Sequence, residues 1–159
     1  METGSMIPST PVQQFVDGEI VQIDLSERSA GRTIVLVALV GAFTPPCSDD
    51  HVPGYIQNLA RLKAEGVDEV IILVPNDFFV AKAWADQMDP DGVLTFVADG
   101  SLGFTKDADQ ILDLTELGLG MRTQRYAAVI RDGVVASCAI EPDATAVSVS
   151  GAEAVLAGL

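Results

Sequence analysis

Apolar and polar positions alternate along this chain in two distinct rhythms. Thr33 to Val40 (TIVLVALV) is a nearly unbroken apolar run rich in β-branched residues. Such a run marks a strand buried on both faces, as in a partly parallel sheet. Val70 to Val74 (VIILV) predicts a second strand of this kind, and Val93 to Ala98 a third. Between the first two, Tyr55, Ile56, Leu59 and Leu62 recur at helical spacing. Ser48-Asp49-Asp50 places acids in the first turn of that helix, and Gly66 suits its end. Asn76 or Asp77 can cap the next helix, with Phe79, Val80, Ala83 and Trp84 as its inner stripe. Residues 11–24 read as two short strands around Asp17-Gly18. Tyr126 to Ile130 and Val134 to Ile140 flank Arg131-Asp132-Gly133, a hairpin signal. Gly151 to Leu159 closes the chain as a short helix. The order β-α-β-α-β-β-β-α predicts an α/β layer fold, its central sheet made mixed by the last hairpin. Residues 11–159 are expected to form one domain, and residues 1–10 an added tag or a disordered arm.

The 159 residues suffice for one sizeable core. With 48% hydrophobic and 20% charged residues, the chain reads as packed and globular. Acidic residues outnumber basic ones 23 to 9, a formal charge of −14, which argues against nucleic-acid or anionic-membrane partners. No segment reaches the roughly 18 apolar residues of a membrane span. The opening METGSMIPST has neither the basic nor the apolar region of a signal peptide, so a reducing cytoplasm is the expected location. Cys47 and Cys138 belong to no metal-ligand spacing, and two cysteines make no secreted disulfide framework. Neither a metal nor a cofactor is expected.

The chemistry concentrates in Val40 to Tyr55, VGAFTPPCSDDHVPGY. This segment runs from the end of a buried strand into a helix, so Cys47 falls in the first helical turn. Unpaired backbone N–H groups and the positive end of the helix dipole favour a thiolate there. Thr44, three residues earlier, can turn its hydroxyl toward the sulfur. Pro45 and Pro46 suit a helix start. A bland alternative for Cys47 is a buried, inert packing residue. His51, the only histidine, follows Cys47 by four positions, a spacing that places both on one helix face. It is assigned a supporting hydrogen-bonding role.

The whole stretch resembles the peroxiredoxin family, closest to its type II, peroxiredoxin-5-like branch. Gly41 to Cys47, with Ser48, His51, Pro53, Gly54 and Tyr55, follows that branch's GAFTPxCSxxHxPG(F/Y) segment. The likeness continues through VPNDFFVAKAW (Val74 to Trp84), ADGSLGFTK (Ala98 to Lys106), GMRTQRYAAVIRDGVV (Gly120 to Val135) and EPD (Glu141 to Asp143). It implies a thioredoxin-like fold and a thiol peroxidase, an antioxidant oxidoreductase that commonly dimerises through loops around its site. Cys47 matches the peroxidatic cysteine, Thr44 the hydroxyl that orients peroxide, and Arg125 the activating arginine. The implied substrates are hydrogen peroxide and small organic hydroperoxides.

Three positions depart from the family pattern. Val40 stands where the signature has proline, keeping apolar bulk without the ring. Pro46 lacks the backbone N–H that this position can offer to peroxide. No cysteine occupies Val149 or Ile72, near the two resolving positions of the family. Cys138 reads as a core residue. The pattern thus implies a one-cysteine cycle completed by an external thiol, either glutathione with glutaredoxin or thioredoxin. The alternative is a catalytically weak relative acting as a binding or redox-sensor protein, supported by Val40 and Pro46. A cysteine hydrolase using Cys47 and His51 would need an orienting acid and an acyl pocket, and no motif supplies either.

Overall fold

The computed structural model describes residues 1–159. Its main sheet contains β1 (Val12–Val16), β2 (Glu19–Ile23), β3 (Thr33–Ala38), β4 (Glu69–Val74), β5 (Thr95–Ala98), β8 (Tyr126–Arg131) and β9 (Val134–Ile140). They lie in the order β2-β1-β5-β4-β3-β8-β9. β3, β4 and β5 run parallel, while β1, β2, β8 and β9 pair antiparallel. The sheet is therefore mixed, and with its flanking helices it is thioredoxin-like. No helix is long and apolar enough to cross a membrane.

The unbroken apolar runs are explained by two cores, one on each sheet face. Val35 and Val37 of β3, with Val70, Ile72 and Val74 of β4, point to a core shared with α2 (Val52–Ala64), α3 (Phe78–Met88) and α5 (Ala152–Gly158). Ile34, Leu36, Ala38, Ile71 and Leu73 point the other way. There they meet Leu25 of α1 (Leu25–Arg28) and Phe104 of α4 (Gly103–Asp107). A strand whose two faces are both covered needs apolar residues at every position.

Several boundaries differ from the sequence reading. β3 ends at Ala38 and β5 begins at Thr95. The inner stripe of α3 consists of Phe78, Val80, Ala81, Trp84, Ala85 and Met88, so Val80 and Trp84 pack inward as expected, whereas Phe79 is 62% exposed and Ala83 is exposed. Asp77 does cap this helix, accepting from the Val80 N–H at 2.9 Å. Residues 4–7, expected to belong to an added tag or a disordered arm, pair with β9. Gly4 N–H donates to Val135 O at 2.8 Å and Ile7 N–H to Gly133 O at 2.9 Å, and Ile7 enters the second core. α1 and α4 were not anticipated. Nor was the separate ribbon of β6 (Ile111–Leu114) and β7 (Gly120–Thr123), joined through a 3-10 turn at Thr115–Leu117.

Candidate active site

Three chain segments leave the sheet at one end, and register explains their meeting. Ala38, the last residue of β3, pairs with Tyr126, the first of β8. Tyr126 in turn pairs with Ile140, the last of β9. Arg125 and Glu141, one residue beyond the sheet, are therefore neighbours, and Glu141 N–H donates to Arg125 O at 2.8 Å. Both flank the loop that follows β3. This is the carboxyl end of the parallel strands, where open α/β sheets place their sites.

The loop is held from the side. Asn76, just past β4, accepts the Ala42 N–H on its Oδ1 at 2.9 Å. Gly100 lets the next turn lie against it: a Cβ there would come within 3.2 Å of Asn76 O and Asp77 Cα. Asn76 was read only as a possible cap, and its role in the loop depends on a partner 34 positions away. Phe43 adopts a left-handed backbone (φ 65°), uncommon for a bulky residue and suited to the tight turn here.

Helical backbone begins at residue 45, and Cys47–His51 forms a π-helical turn before α2. Such turns are rare and recur at functional sites. Cys47 is fully buried. Thr44 Oγ1 lies 2.9 Å from its sulfur and 2.7 Å from Gly41 O. One hydroxyl hydrogen serves one acceptor at a time, so Thr44 can hold the carbonyl or turn to the sulfur. Arg125 Nη2 donates to Cys47 Sγ at 3.1 Å, Nη1 to His51 Nδ1 at 2.9 Å, and Nε to Ala144 O at 2.8 Å. Arg125 is 1% exposed and joins none of the ion pairs, which involve Arg28, Arg32, Arg61 and Lys82. A buried cation needs polar partners, and the sulfur is the one group touching this guanidinium that can become an anion.

Arginine has only donors, so His51 Nδ1 accepts and the ring proton sits on Nε2. Nε2 faces Ser150 O at 2.9 Å. Burial lowers the His51 pKa to about 4, and the Arg125 cation adds to the fall against the opposing pull of Ser150 O and Glu141. At neutral pH the ring is uncharged. Both of its nitrogens are committed away from the sulfur, which leaves no Cys–His pair for hydrolase chemistry.

Val40 and Pro46 line a pocket of about 570 Å³ beside the site, together with Thr44, Pro45 and Arg125. Its far wall is Leu112, Leu114, Leu117 and Leu119 from the β6–β7 ribbon. These leucines were missed, because segments this short carry too little periodicity to read. Arg122 ties the ribbon to the loop, with Nε donating to Leu119 O at 2.9 Å and Nη1 reaching Val40 O at 3.5 Å. Gly41 makes room for it: a Cβ there would sit 2.9 Å from Arg122 Nη1. Cys138 lies across the sheet from Cys47, against the second core, and burial pushes its thiol pKa up.

A family model described as Redoxin matches residues 3–156. Peroxiredoxin-2C of Oryza sativa subsp. japonica is 39% identical, over 98% of this chain and 96% of that protein. The chain belongs to the peroxiredoxin family. Peroxiredoxins are thiol peroxidases, so it is an oxidoreductase. This peroxiredoxin is also similar to the solved structure of reduced Prx3 in complex with H2O2 from Vibrio vulnificus. That match has TM-score 0.92 and 38% identity, over 99% of this chain and 95% of the other. A Plasmodium falciparum antioxidant protein described as a 1-Cys peroxiredoxin matches with TM-score 0.90 and 26% identity, over 98% of this peroxiredoxin and 96% of that chain.

Proposed function

We propose that this peroxiredoxin reduces hydrogen peroxide and small organic hydroperoxides in a one-cysteine cycle on Cys47. The Cys47 thiolate attacks the terminal peroxide oxygen, the O–O bond breaks, and the other oxygen leaves as water or alcohol after taking a proton. Cys47 becomes a sulfenic acid. Arg125 stabilises charge on the sulfur and on the leaving oxygen, and Thr44 orients the peroxide. An external thiol then attacks the sulfenic acid, releasing water and forming a mixed disulfide. A second thiol frees Cys47. Glutathione with glutaredoxin, or thioredoxin, fits this step in a reducing cytoplasm.

The observation that carries the reading is the placement of Cys138 on the opposite sheet face from Cys47. The only other sulfur nucleophile is thus kept from the sulfenic acid. The Plasmodium falciparum relative described as 1-Cys, and the Vibrio vulnificus complex with H2O2, support the same cycle and substrate. A homodimer fits Phe43, which is 51% exposed within the active-site loop.

Trp84 is the only tryptophan, and its indole N–H donates to Ser48 Oγ at 3.0 Å, beside Cys47. Stopped-flow fluorescence therefore reads the reaction directly. Rapid oxidation by hydrogen peroxide is expected, with sulfenic-acid trapping and mass spectrometry placing the label on Cys47. Cys138→Ser should keep full turnover with an external thiol. A Cys47–Cys138 disulfide, or loss of turnover in Cys138→Ser, would refute the one-cysteine cycle. Fast oxidation of Cys47 without turnover would favour a redox sensor, and oxidation no faster than that of a free thiol would leave a peroxiredoxin fold put to another use.

The leucine wall makes a second expectation. Leu114→Ser should lower kcat/KM for cumene hydroperoxide roughly tenfold, the scale of lost apolar contact in a pocket, and leave hydrogen peroxide unaffected. Equal loss for both substrates would show that the wall does not select the organic group.

A further inference from the structure

We propose that Glu141 is a positioning residue for Arg125, acting through Ser150 and the tautomer of His51. The inference goes beyond the peroxidase reading but rests on it for the role of Arg125 at Cys47. Glu141 is buried, yet it has no cationic partner. It is satisfied entirely by serine donors. Ser148 N–H and Ser150 N–H reach Oε1 at 2.6 and 2.9 Å, Ser150 Oγ reaches Oε1 at 2.8 Å, and Ser148 Oγ reaches Oε2 at 2.7 Å. Burial alone would raise its pKa, but these hydrogen bonds outweigh it and hold the group at about 2. Glu141 is thus a fixed acceptor that pins residues 148–150.

What it pins is the wall facing His51. Ser150 O accepts from His51 Nε2–H and from Tyr55 OH, the latter at 2.6 Å. Ser150 Oγ lies 3.2 Å from the same Nε2. Because that hydroxyl spends its hydrogen on Glu141, it can only accept from the ring. Every group facing Nε2 is therefore an acceptor. The proton must sit on Nε2, and Nδ1 must offer a lone pair to Arg125 Nη1. Without Glu141, residues 148–150 lose the anchor that holds Ser150 O against Nε2–H; as that carbonyl withdraws, the freed Ser150 hydroxyl can donate to Nε2 and the ring can carry its proton on Nδ1. Two donors then face each other at Nδ1 and Nη1. The guanidinium has to move, and its Nη2 leaves the sulfur. A buried anion, a hydroxyl and a ring tautomer thus form one relay ending at Cys47.

The single histidine makes the relay directly readable. Nitrogen NMR of histidine-labelled protein assigns the tautomer of His51, and stopped-flow reads oxidation of Cys47. Wild type should show the Nε2–H tautomer alone. Glu141→Gln can keep every contact, its carbonyl oxygen replacing Oε1 and its amide donating to Ser148 Oγ, and should match wild type in both readouts. Glu141→Ala should populate the Nδ1–H tautomer and slow oxidation about tenfold, the scale of one orienting charge-assisted hydrogen bond. If Glu141→Ala does not fold, Glu141→Met, which keeps the side chain's bulk but offers the serines no oxygen, carries the test with the same tautomer and rate expected. A wild-type tautomer in whichever variant carries the test, or slowed oxidation with unchanged His51 resonances, overturns the relay. The NMR arm decides this whatever the oxidation rate of wild-type Cys47, so failure of the peroxidase reading is seen separately.

Discussion

Arg125→Met slows oxidation of Cys47 by hydrogen peroxide by about 10²–10³-fold, the usual effect of deleting a donor aimed at developing charge. The side chain contacts Cys47 Sγ, His51 Nδ1 and Ala144 O at once. Methionine fills similar space but offers no donor. The sulfur loses its one cationic contact, and the leaving oxygen loses the charge nearest to it. His51 Nδ1 is left without its donor, at a cost of roughly 1–3 kcal/mol of stability. Arg125→Lys recovers only part of the rate, because one compact ammonium cannot span three acceptors set for a planar fork. Stopped-flow through Trp84, with circular dichroism to confirm the fold, checks both variants. An unchanged oxidation rate in folded Arg125→Met would remove the arginine from the chemistry.

The second large effect is on acid stability. His51 has a folded pKa of about 4 against an ordinary value of 6.5. Between those values the unfolded chain binds a proton that the folded chain refuses, so stability falls as pH falls. The loss through His51 reaches about 3 kcal/mol by pH 4. Glu141, held at about 2 against 4.5, acts in the same direction at lower pH. Its stabilising contribution is present above 4.5 and is lost as pH falls toward 2. Relief of repulsion among the many surface carboxylates opposes this trend once they protonate, near their ordinary values. The interval from 6.5 down to about 5 therefore belongs to His51, the only histidine. The urea midpoint of the wild type should drop steadily through that interval, and that of His51→Gln should stay level there. A level wild-type midpoint would contradict a buried neutral His51. Activity should fail in the same sense toward pH 4, since a protonated ring presents an N–H to Arg125 where a lone pair is needed.

The readable parts of this peroxiredoxin were those whose causes lie close together in the chain. The runs at residues 33–40 and 70–74 announced strands covered on both faces, because a doubly buried strand must be apolar throughout. The α3 stripe was read correctly at Val80 and Trp84 but not at Phe79, which is apolar yet exposed, while Phe78 packs inward. Residues 99–125 went unassigned. α4, β6 and β7 are too short to show a period, and their order comes from contacts distant in the chain, such as Phe104 entering the second core and Gln124 N–H donating to Gln110 O at 2.8 Å. The arm at residues 4–7 misled for a similar reason. Its place beside β9 comes from backbone hydrogen bonds, which any residue but proline can donate.

For the site, the chain alone determined that Cys47 opens a helix after a buried strand with Thr44 one turn before it. Both facts depend on neighbours within a few residues. The family likeness named Arg125, but only the sheet decided how it reaches the sulfur from 78 positions away. Pairing of Ala38 with Tyr126, and of Tyr126 with Ile140, brings residues 125 and 141 to the mouth of the β3 loop. The Glu141–Ser150–His51 chain and the leucine wall arise the same way. Local pattern records which backbone a segment prefers and which face it buries. Which side chains then meet is decided by strand register, and no window of neighbouring residues contains it.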